Sequence, residues 1–478
     1  MLNKLYFILS IISVTLSVQA QEVLVSSDIS IRNNLSYDII GEIEDRIVLF
    51  RDAGDEYFME TFDEEMTMVF STSIVFEQPK VDIYNILGLD STFQILYGYP
   101  DQDSIRIKSR RYDPKAILID SVSLFTIEKK LFKRYKYVNS EDGSKTLLFA
   151  KARKDILELF WIDNKRNKLI ASQNHSILNI NLNEDFRFMD LTNDGRAITY
   201  FDTDNFQFTK ENHFGHLFVF SPYSITPDYY PLNYDSKVAI DFKMEFNNIN
   251  NHFVLAGLYS TVSNSSAEGY FLINKDIDQI QEKDTFSFTQ FPREFISEVI
   301  GVKKKRVNLL NDFVIKDLTL RADGGVLMFF ESYKEFARRS TYRSYTRRDA
   351  SLYGDRGWVD YYNEDIIVVA THPEGDEHWK KVLHKKQFSQ DDEAIFSSFY
   401  IFKTPSRLRL IYNDDITKNS TISEYLVDPI GDYERRSLLN TEYENLKLRF
   451  NDSIQLSSNS MIVPSQQSYT LNLVKITY

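Results

Sequence analysis

Alternation of apolar and polar residues is the dominant pattern along this chain. Apolar side chains recur at every second position from Val238 to Phe246, and charged residues occupy most of the positions between them. Shorter stretches at Leu178–Leu182 and Leu408–Tyr412 repeat the pattern. A period of two predicts strands that bury one face.

Other runs are apolar throughout, at Phe253–Tyr259, Val326–Phe330 and Ile366–Val369. These predict strands buried on both faces, as in the inner strands of stacked sheets. Asp-Gly pairs such as Asp142-Gly143 and Asp194-Gly195 join strand candidates, because glycine supplies the positive φ of tight hairpins.

A unit of strands joined by hairpins recurs along the chain. It can be placed near residues 37–78, 82–126, 135–178, 184–236, 238–291, 312–386 and 394–456, with a last strand at 469–476. This spacing predicts an all-β fold, a β-propeller of about seven four-stranded blades with elongated loops. Six and eight units also fit, and a sandwich array or a membrane barrel are the rival architectures. One helix is expected, from Pro292 to about Gly301, with Phe295, Ile296, Val299 and Ile300 on one face.

The N-terminus is typical of a secretory signal peptide. Lys4 precedes an apolar run from Leu5 to Val18, and small residues around Ala20 predict cleavage before Gln21. The rival is a transmembrane anchor, for which the run is short. We therefore expect residues 1–20 to be a signal peptide and residues 21–478 to be a single propeller domain, in a periplasmic protein that is not integral to the membrane.

Composition narrows the chemistry further. The chain has no cysteine, which excludes disulfides and a lipid anchor on a processed cysteine, and its net charge is −13. This charge argues against nucleic acid as a partner. Aromatic residues make up 14% of the chain, which suits half-buried sheet surfaces.

The sequence contains only weak signals for catalytic and metal sites. His213 and His216 form an HxxH pair, but zinc sites need three or four ligands, so no metal and no other cofactor is expected. No nucleophile elbow, phosphate loop or dinucleotide fingerprint occurs, and the protein is predicted not to be an enzyme. The alternative is a secreted carbohydrate-active enzyme that uses paired carboxylates at the propeller mouth.

One segment stands out as a candidate binding element. Residues 333–362 separate the expected strands Val326–Glu331 and Glu364–Thr371, a connection far longer than a hairpin needs. Six arginines against two aspartates in residues 338–356 give an excess of four positive charges. Arg, Tyr and Trp dominate binding hot spots. The predicted binding residues are Arg338, Arg339, Tyr342, Arg343, Tyr345, Arg347, Arg348 and Trp358. A basic loop that only lies on the acidic body is the rival interpretation.

Residues 312–413 and the turn that follows them contain several short motifs, at Leu320–Val326, Tyr362–Val369, Trp379–Lys381, Lys385–Gln387, Ser397–Phe399 and Tyr412–Asp415. Through these motifs the segment resembles a family of exported propellers from Bacteroidota. The resemblance covers about a quarter of the chain and brings no catalytic residues. One role within this family is the plug subunit of the type 9 secretion translocon. The resemblance therefore implies a propeller peripheral to the outer membrane that docks on a protein partner, with an outer-membrane translocon barrel as the expected partner.

Overall fold

The computed structural model describes residues 21–54, 56–128, 135–151, 155–203, 213–262, 265–281, 286–301, 309–338, 358–416, 421–440 and 446–478. The described part of the chain is built almost entirely of antiparallel strands. No helix in these ranges is long and apolar enough to cross a membrane.

The described part of the chain begins with two short strands, β1 (Glu22–Val25) and β2 (Ile29–Ser30). Seven sheets of consecutive strands follow. Blade 1 contains β3 (Ser36–Ile43), β4 (Arg46–Asp52), β5 (Tyr57–Phe62) and β6 (Met68–Ile74). Blade 2 contains β7 (Asp82–Gly88), β8 (Phe93–Asp101), β9 (Ser104–Tyr112) and β10 (Leu118–Glu128). Blade 3 contains β11 (Lys136–Asn139), β12 (Lys145–Lys151), β13 (Ile156–Asp163) and β14 (Lys168–Ser176).

Blade 4 contains β15 (Phe186–Leu191), β16 (Ala197–Thr203), β17 (Phe214–Ser221) and β18 (Ser224–Asn233). Blade 5 contains β19 (Val238–Asn247), β20 (His252–Ser260), β22 (Gly269–Asp276) and β23 (Ser287–Gln290); β21 (Ser266–Ala267) pairs outside it with β24 (Leu310–Asn311). Blade 6 contains β25 (Phe313–Leu320), β26 (Val326–Arg338), β27 (Trp358–Thr371) and β28 (Glu377–Leu383), with β29 (Gln387–Gln390) also paired to β27. Blade 7 contains β30 (Tyr400–Lys403), β31 (Leu408–Asn413), β32 (Ile422–Val427) and β33 (Tyr433–Leu439).

The two ends of the chain build the eighth blade together. Its strands are β34 (Ile454–Gln455), β35 (Ser460–Gln467) and β36 (Thr470–Thr477), and β1 completes it as the outer strand. The register pairs Glu22 with Thr477 and Val25 with Val474. The all-β propeller prediction is therefore confirmed, with eight blades where the spacing suggested about seven. The last blade does not repeat in sequence because one of its strands comes from the other end of the chain.

Packing between blades explains the runs that are apolar throughout. In β26, Met328 and Phe330 pack into a core shared with blade 5, while Leu327 and Phe329 pack into a core shared with blade 7. Successive side chains of a strand point to opposite faces of its sheet. A strand whose two faces pack against the two neighbouring blades is therefore apolar at successive positions.

The alternating strand β19 shows the complementary case. Its apolar residues are buried except for Ile240, which is partly buried, and Asp241, Lys243 and Glu245 are only partly covered. The first strands of neighbouring blades contact one another, so the first strand of each blade lies innermost. These charged residues therefore lie near the axis of the propeller.

The expected helix is present as α1 (Arg293–Ile300). Phe295, Ile296 and Val299 are buried, whereas Ile300, in the last turn, is 40% exposed. Gly301 ends the helix with a φ of 67°, and its N–H donates to the carbonyl oxygen of Glu298 at 3.1 Å. Glycine adopts this left-handed conformation without the steric cost of a Cβ.

Candidate docking surface

Blade 6 carries an extension that continues beyond the propeller body. β25 pairs with β26 only as far as Ser332, and β28 pairs with β27 only from Ile366 onward. Beyond these points β26 and β27 continue to pair with each other, and β29 joins the far side of β27. We call the resulting three-stranded sheet, residues 333–338, 358–363 and 387–390, the extension.

The extension is longer in strand than the sequence suggested. Strands were expected to end at Glu331 and restart at Glu364, but they reach Arg338 and restart at Trp358. Aromatic residues are frequent in these segments and favour strand. A bulge between Glu331 and Tyr333 marks where the strand leaves the blade and enters the extension.

One face of the extension is aromatic. Residues that lie opposite each other in neighbouring strands share a face, and the register places Arg338 opposite Trp358 and Tyr362 opposite both Lys334 and Phe388. The ring centroids are 5.9 Å apart for Phe336 and Tyr362, and 5.1 Å apart for Tyr362 and Phe388. We call Phe336, Trp358, Tyr362 and Phe388 the aromatic face.

Three of these rings are open to solvent, and Tyr362 is half-buried. Phe336 is 52% exposed, and Trp358 and Phe388 are each 38% exposed. Isolated exposed aromatics are common on protein surfaces, but several together on one rigid sheet are typical of interaction sites. The aromatic face can therefore contact apolar groups of another molecule without rearrangement.

Charged side chains frame the rings. The buried carboxylate of Asp360 contacts the guanidinium group of Arg338 and accepts a hydrogen bond from Nε2 of Gln390 at 2.8 Å. Lys334 Nζ lies 3.4 Å from a carboxylate oxygen of Glu364. These contacts hold both cations on the same face as the rings.

A buried ionic network fixes the base of the extension. Glu331 and Lys385 are both fully buried, and Lys385 Nζ lies 2.6 Å from Glu331 Oε1. The second carboxylate oxygen accepts from Ser398 Oγ at 2.7 Å and from Asn363 Nδ2 at 3.0 Å, and Lys316 Nζ lies 3.4 Å away.

Burial alone would raise the pKa of Glu331, but the ammonium groups of Lys385 and Lys316 outweigh burial and hold this pKa below its ordinary value. Glu331 is therefore ionised at neutral pH. It lies beside the bulge where the extension begins, and Asn363 belongs to the extension itself. The network thus connects the blade to the extension through fixed contacts, so that the aromatic face is held in one orientation.

Two of the predicted binding residues lie in the extension. Arg338 and Trp358 face each other at its tip. Arg339, Tyr342, Arg343, Tyr345, Arg347 and Arg348 lie outside the described residues.

Sequence analysis missed Phe336, Tyr362 and Phe388. Lys334, Phe336 and Arg338 recur at every second position, which is a signal for strand, but these residues were assigned to the long connection between strands. The part played by Phe388 depends on β29 pairing with β27, which no local pattern shows.

The HxxH histidines have separate environments. His213 is buried, with Nε2 2.6 Å from Asp202 Oδ1 and the ring stacked on Tyr234. His216 instead contacts Tyr229 Oη at 2.9 Å. Across the ranges that the structure describes, no three His, Asp or Glu side chains form a group that could hold a metal ion.

Carboxylates from three neighbouring inner strands interact near the axis. Burial, with the charges of Asp190 and Asp317, raises the pKa of Glu245 to about 7, and burial also raises the pKa of Asp190. Lys403 and Lys243 oppose this effect on Glu245. A carboxyl group with a raised pKa can donate a proton near neutral pH.

No protein-family model and no curated protein matches this chain. Among solved structures, it is similar to BamB from Moraxella catarrhalis, with 10% identity over 96% of this chain and 98% of that one and a TM-score of 0.40. It is also similar to the β-propeller domain of the Trilobed protease from Pyrococcus furiosus, with 9% identity over 88% and 99% of the two chains and a TM-score of 0.38. Prolyl oligopeptidase B from Galerina marginata matches at 9% identity over 91% of this chain and 55% of that one, with a TM-score of 0.40. These distant similarities concern the fold alone.

Proposed function

We propose that this protein is a non-catalytic propeller of the cell envelope that docks on a protein partner through the extension of blade 6. The proposed partner is the outer-membrane barrel of a secretion pore, and the propeller plugs the periplasmic mouth of that pore. The proposed binding element comprises the aromatic face and the basic segment that joins β26 to β27.

The aromatic face is the observation that carries this proposal. Phe336 alone leaves 52% of its surface in water, although the sheet beneath it is held by buried polar contacts. Covering such rings with another protein stabilises the complex, because aromatic and arginine side chains supply most of the binding energy in interfaces. The net positive charge of residues 338–356 contrasts with the acidic body and favours an acidic patch on the partner.

The proposed location and partner are supported by the sequence. The apolar segment at residues 5–18 is typical of an export signal, and residues 312–413 resemble exported propellers that include a translocon plug.

Co-purification from native envelopes tests the proposal. A tagged Phe336→Ser/Phe388→Ser variant, expressed at native level, should recover the pore barrel at less than about a tenth of the wild-type yield, since two exposed rings are lost. The matched control is Tyr223→Ser/Ile225→Ser, which removes exposed apolar side chains at blade 4, 81% and 84% exposed. Arg343→Glu with Arg347→Glu should also abolish recovery and leave the melting temperature nearly unchanged. Recovery of the barrel at wild-type yield by the Phe336/Phe388 variant would refute docking through this face.

A second candidate function is a carbohydrate-active enzyme, favoured by the raised pKa of Glu245 beside Asp190. In this case Glu245 would be the general acid, and Glu245→Gln would abolish hydrolysis of a polysaccharide that the wild-type protein cleaves. Hydrolysis that persists in Glu245→Gln would exclude this role for Glu245.

A further inference from the structure

In the part of the chain that the structure describes, the outer edge of the extension has no paired strand. β25 ends its pairing at Ser332, and no other described strand pairs with residues 334–338 on that side. The N–H of Tyr333 points to that side, where it donates to the carbonyl oxygen of Asp312 at 2.8 Å. Backbone groups of successive strand residues alternate in direction, so those of Glu335 and Ala337 also point outward. We call residues 334–338 the free edge.

The free edge adjoins the aromatic face. Phe336 lies on the edge strand itself, with Lys334 and Arg338 two positions away on the same face. A strand added along this edge would place one of its side chains directly beside Phe336, and the next two on that face beside the cations. Unpaired strand edges are templates for an added strand, and natural proteins usually cover them or disrupt them.

We infer that the partner binds by strand addition: an extended segment of the partner pairs antiparallel with the free edge. This segment places an aromatic residue beside Phe336 and acidic residues beside Lys334 and Arg338. The inference rests on the proposed function, because it specifies how that docking occurs. Main-chain hydrogen bonds from Glu335 and Ala337 supply affinity, and the side chains on the aromatic face supply specificity.

A synthetic peptide tests this mode without knowledge of the partner. The probe is the fluorescently labelled peptide Thr-Glu-Thr-Phe-Thr-Glu-Thr, whose pattern places Phe beside Phe336 and Glu beside each cation. In an antiparallel arrangement, the two Thr residues that flank Phe lie opposite Glu335 and Ala337, so their N–H groups face the free edge. The N–H groups of the two Glu residues face away.

N-methylation of the peptide therefore gives a matched pair of ligands. Methylation of the two Thr that flank Phe should raise Kd, measured by fluorescence anisotropy on the full-length protein, at least about tenfold, because two hydrogen bonds are lost. Methylation of the two Glu residues should change Kd by less than about twofold, because no bond to the edge is lost. In the protein, Ala337→Pro removes an N–H of the free edge and should weaken binding as methylation of the two Thr residues does. Ala337→Val retains this N–H and should not weaken binding.

The outcomes separate this inference from the proposed function. Equal affinity of the two methylated peptides, or no binding up to about 1 mM of the unmodified peptide, overturns strand addition. If Phe336→Ser abolishes peptide binding while N-methylation has no effect, the aromatic face docks by side chains alone, so strand addition is wrong and the proposed function stands. Because the methylated peptides leave the protein unchanged, the result does not depend on how Ala337→Pro folds.

Discussion

Lys385→Met should strongly destabilise the protein by leaving Glu331 charged and buried. The ammonium group that it removes lies 2.6 Å from the carboxylate, and both side chains are fully buried. Breaking a buried ion pair from one side costs about 3–5 kcal/mol of unfolding free energy. Hydrogen bonds from Ser398 and Asn363 and the charge of Lys316 remain, which places the expected loss near about 3 kcal/mol.

Equilibrium urea unfolding at pH 7, followed by tryptophan fluorescence, measures this loss. Adding Glu331→Gln to Lys385→Met removes the unpaired charge and should recover at least about 2 kcal/mol, a coupling that a double-mutant cycle isolates. Loss of less than about 1 kcal/mol in Lys385→Met, or no recovery in the double variant, would refute the assignment of this pair as the anchor of the extension.

The pH dependence has opposite signs in the two proteins. In the wild type the folded-state pKa of Glu331 is lowered. The Glu331 carboxylate therefore stabilises the folded protein fully at pH values above its ordinary pKa of 4.5, and this stabilisation is lost as the pH falls through the folded-state pKa. Without Lys385, burial dominates and raises this pKa, so the deficit of Lys385→Met should shrink as pH falls from 8 to 5. A deficit that grows on acidification over this range would contradict the electrostatic argument.

Three other predictions follow from the fold. Glu245→Gln should stabilise the protein by about 1–3 kcal/mol at pH 8 and have little effect near pH 4.5, because the folded-state pKa of about 7 makes ionisation of Glu245 costly only in the folded protein. Equal effects of the substitution at both pH values in thermal melts would contradict this. Removal of residues 21–30 should abolish hydrogen-exchange protection of the β36 amides that bond to β1, while the β36 amides that bond to β35 and those of β12 stay protected. Retained protection of the amides that face β1 would disprove closure by β1. Gly257→Ala should lower the free energy of unfolding by about 3 kcal/mol in urea titrations, since its Cβ would collide with the carbonyl oxygen of Asp241. A wild-type midpoint would contradict that close contact.

Much of the fold could be predicted from the sequence because local patterns determine strands. The apolar run Phe253–Tyr259 is buried along its length, and the glycines of the Asp-Gly turns have positive φ, such as Gly143 at 64° and Gly195 at 101°. The sequence suggested about seven blades because the eighth contains β1 and β36, which are far apart in the chain and are joined only by tertiary pairing.

The candidate site was less predictable, because it depends on which strands become neighbours. Arginines and aromatic residues between the strands of blade 6 indicated binding, and Arg338 and Trp358 do lie on an exposed surface. The partners of these residues were not foreseen, since Phe388 joins the aromatic face through the pairing of β29 with β27. The buried lysine at position 385 gave no signal of its own, because burial of an ammonium group is set by the tertiary contacts around Glu331.

Site-specific photo-crosslinking in the native cells tests the central claim most directly. A photoreactive phenylalanine analogue at position 388 should yield one discrete adduct with the outer-membrane pore protein, because this ring lies on the aromatic face. The same analogue at position 223, which is 81% exposed on blade 4, should yield no such adduct. Crosslinking to the pore from position 223 but not from position 388 would contradict docking through the extension.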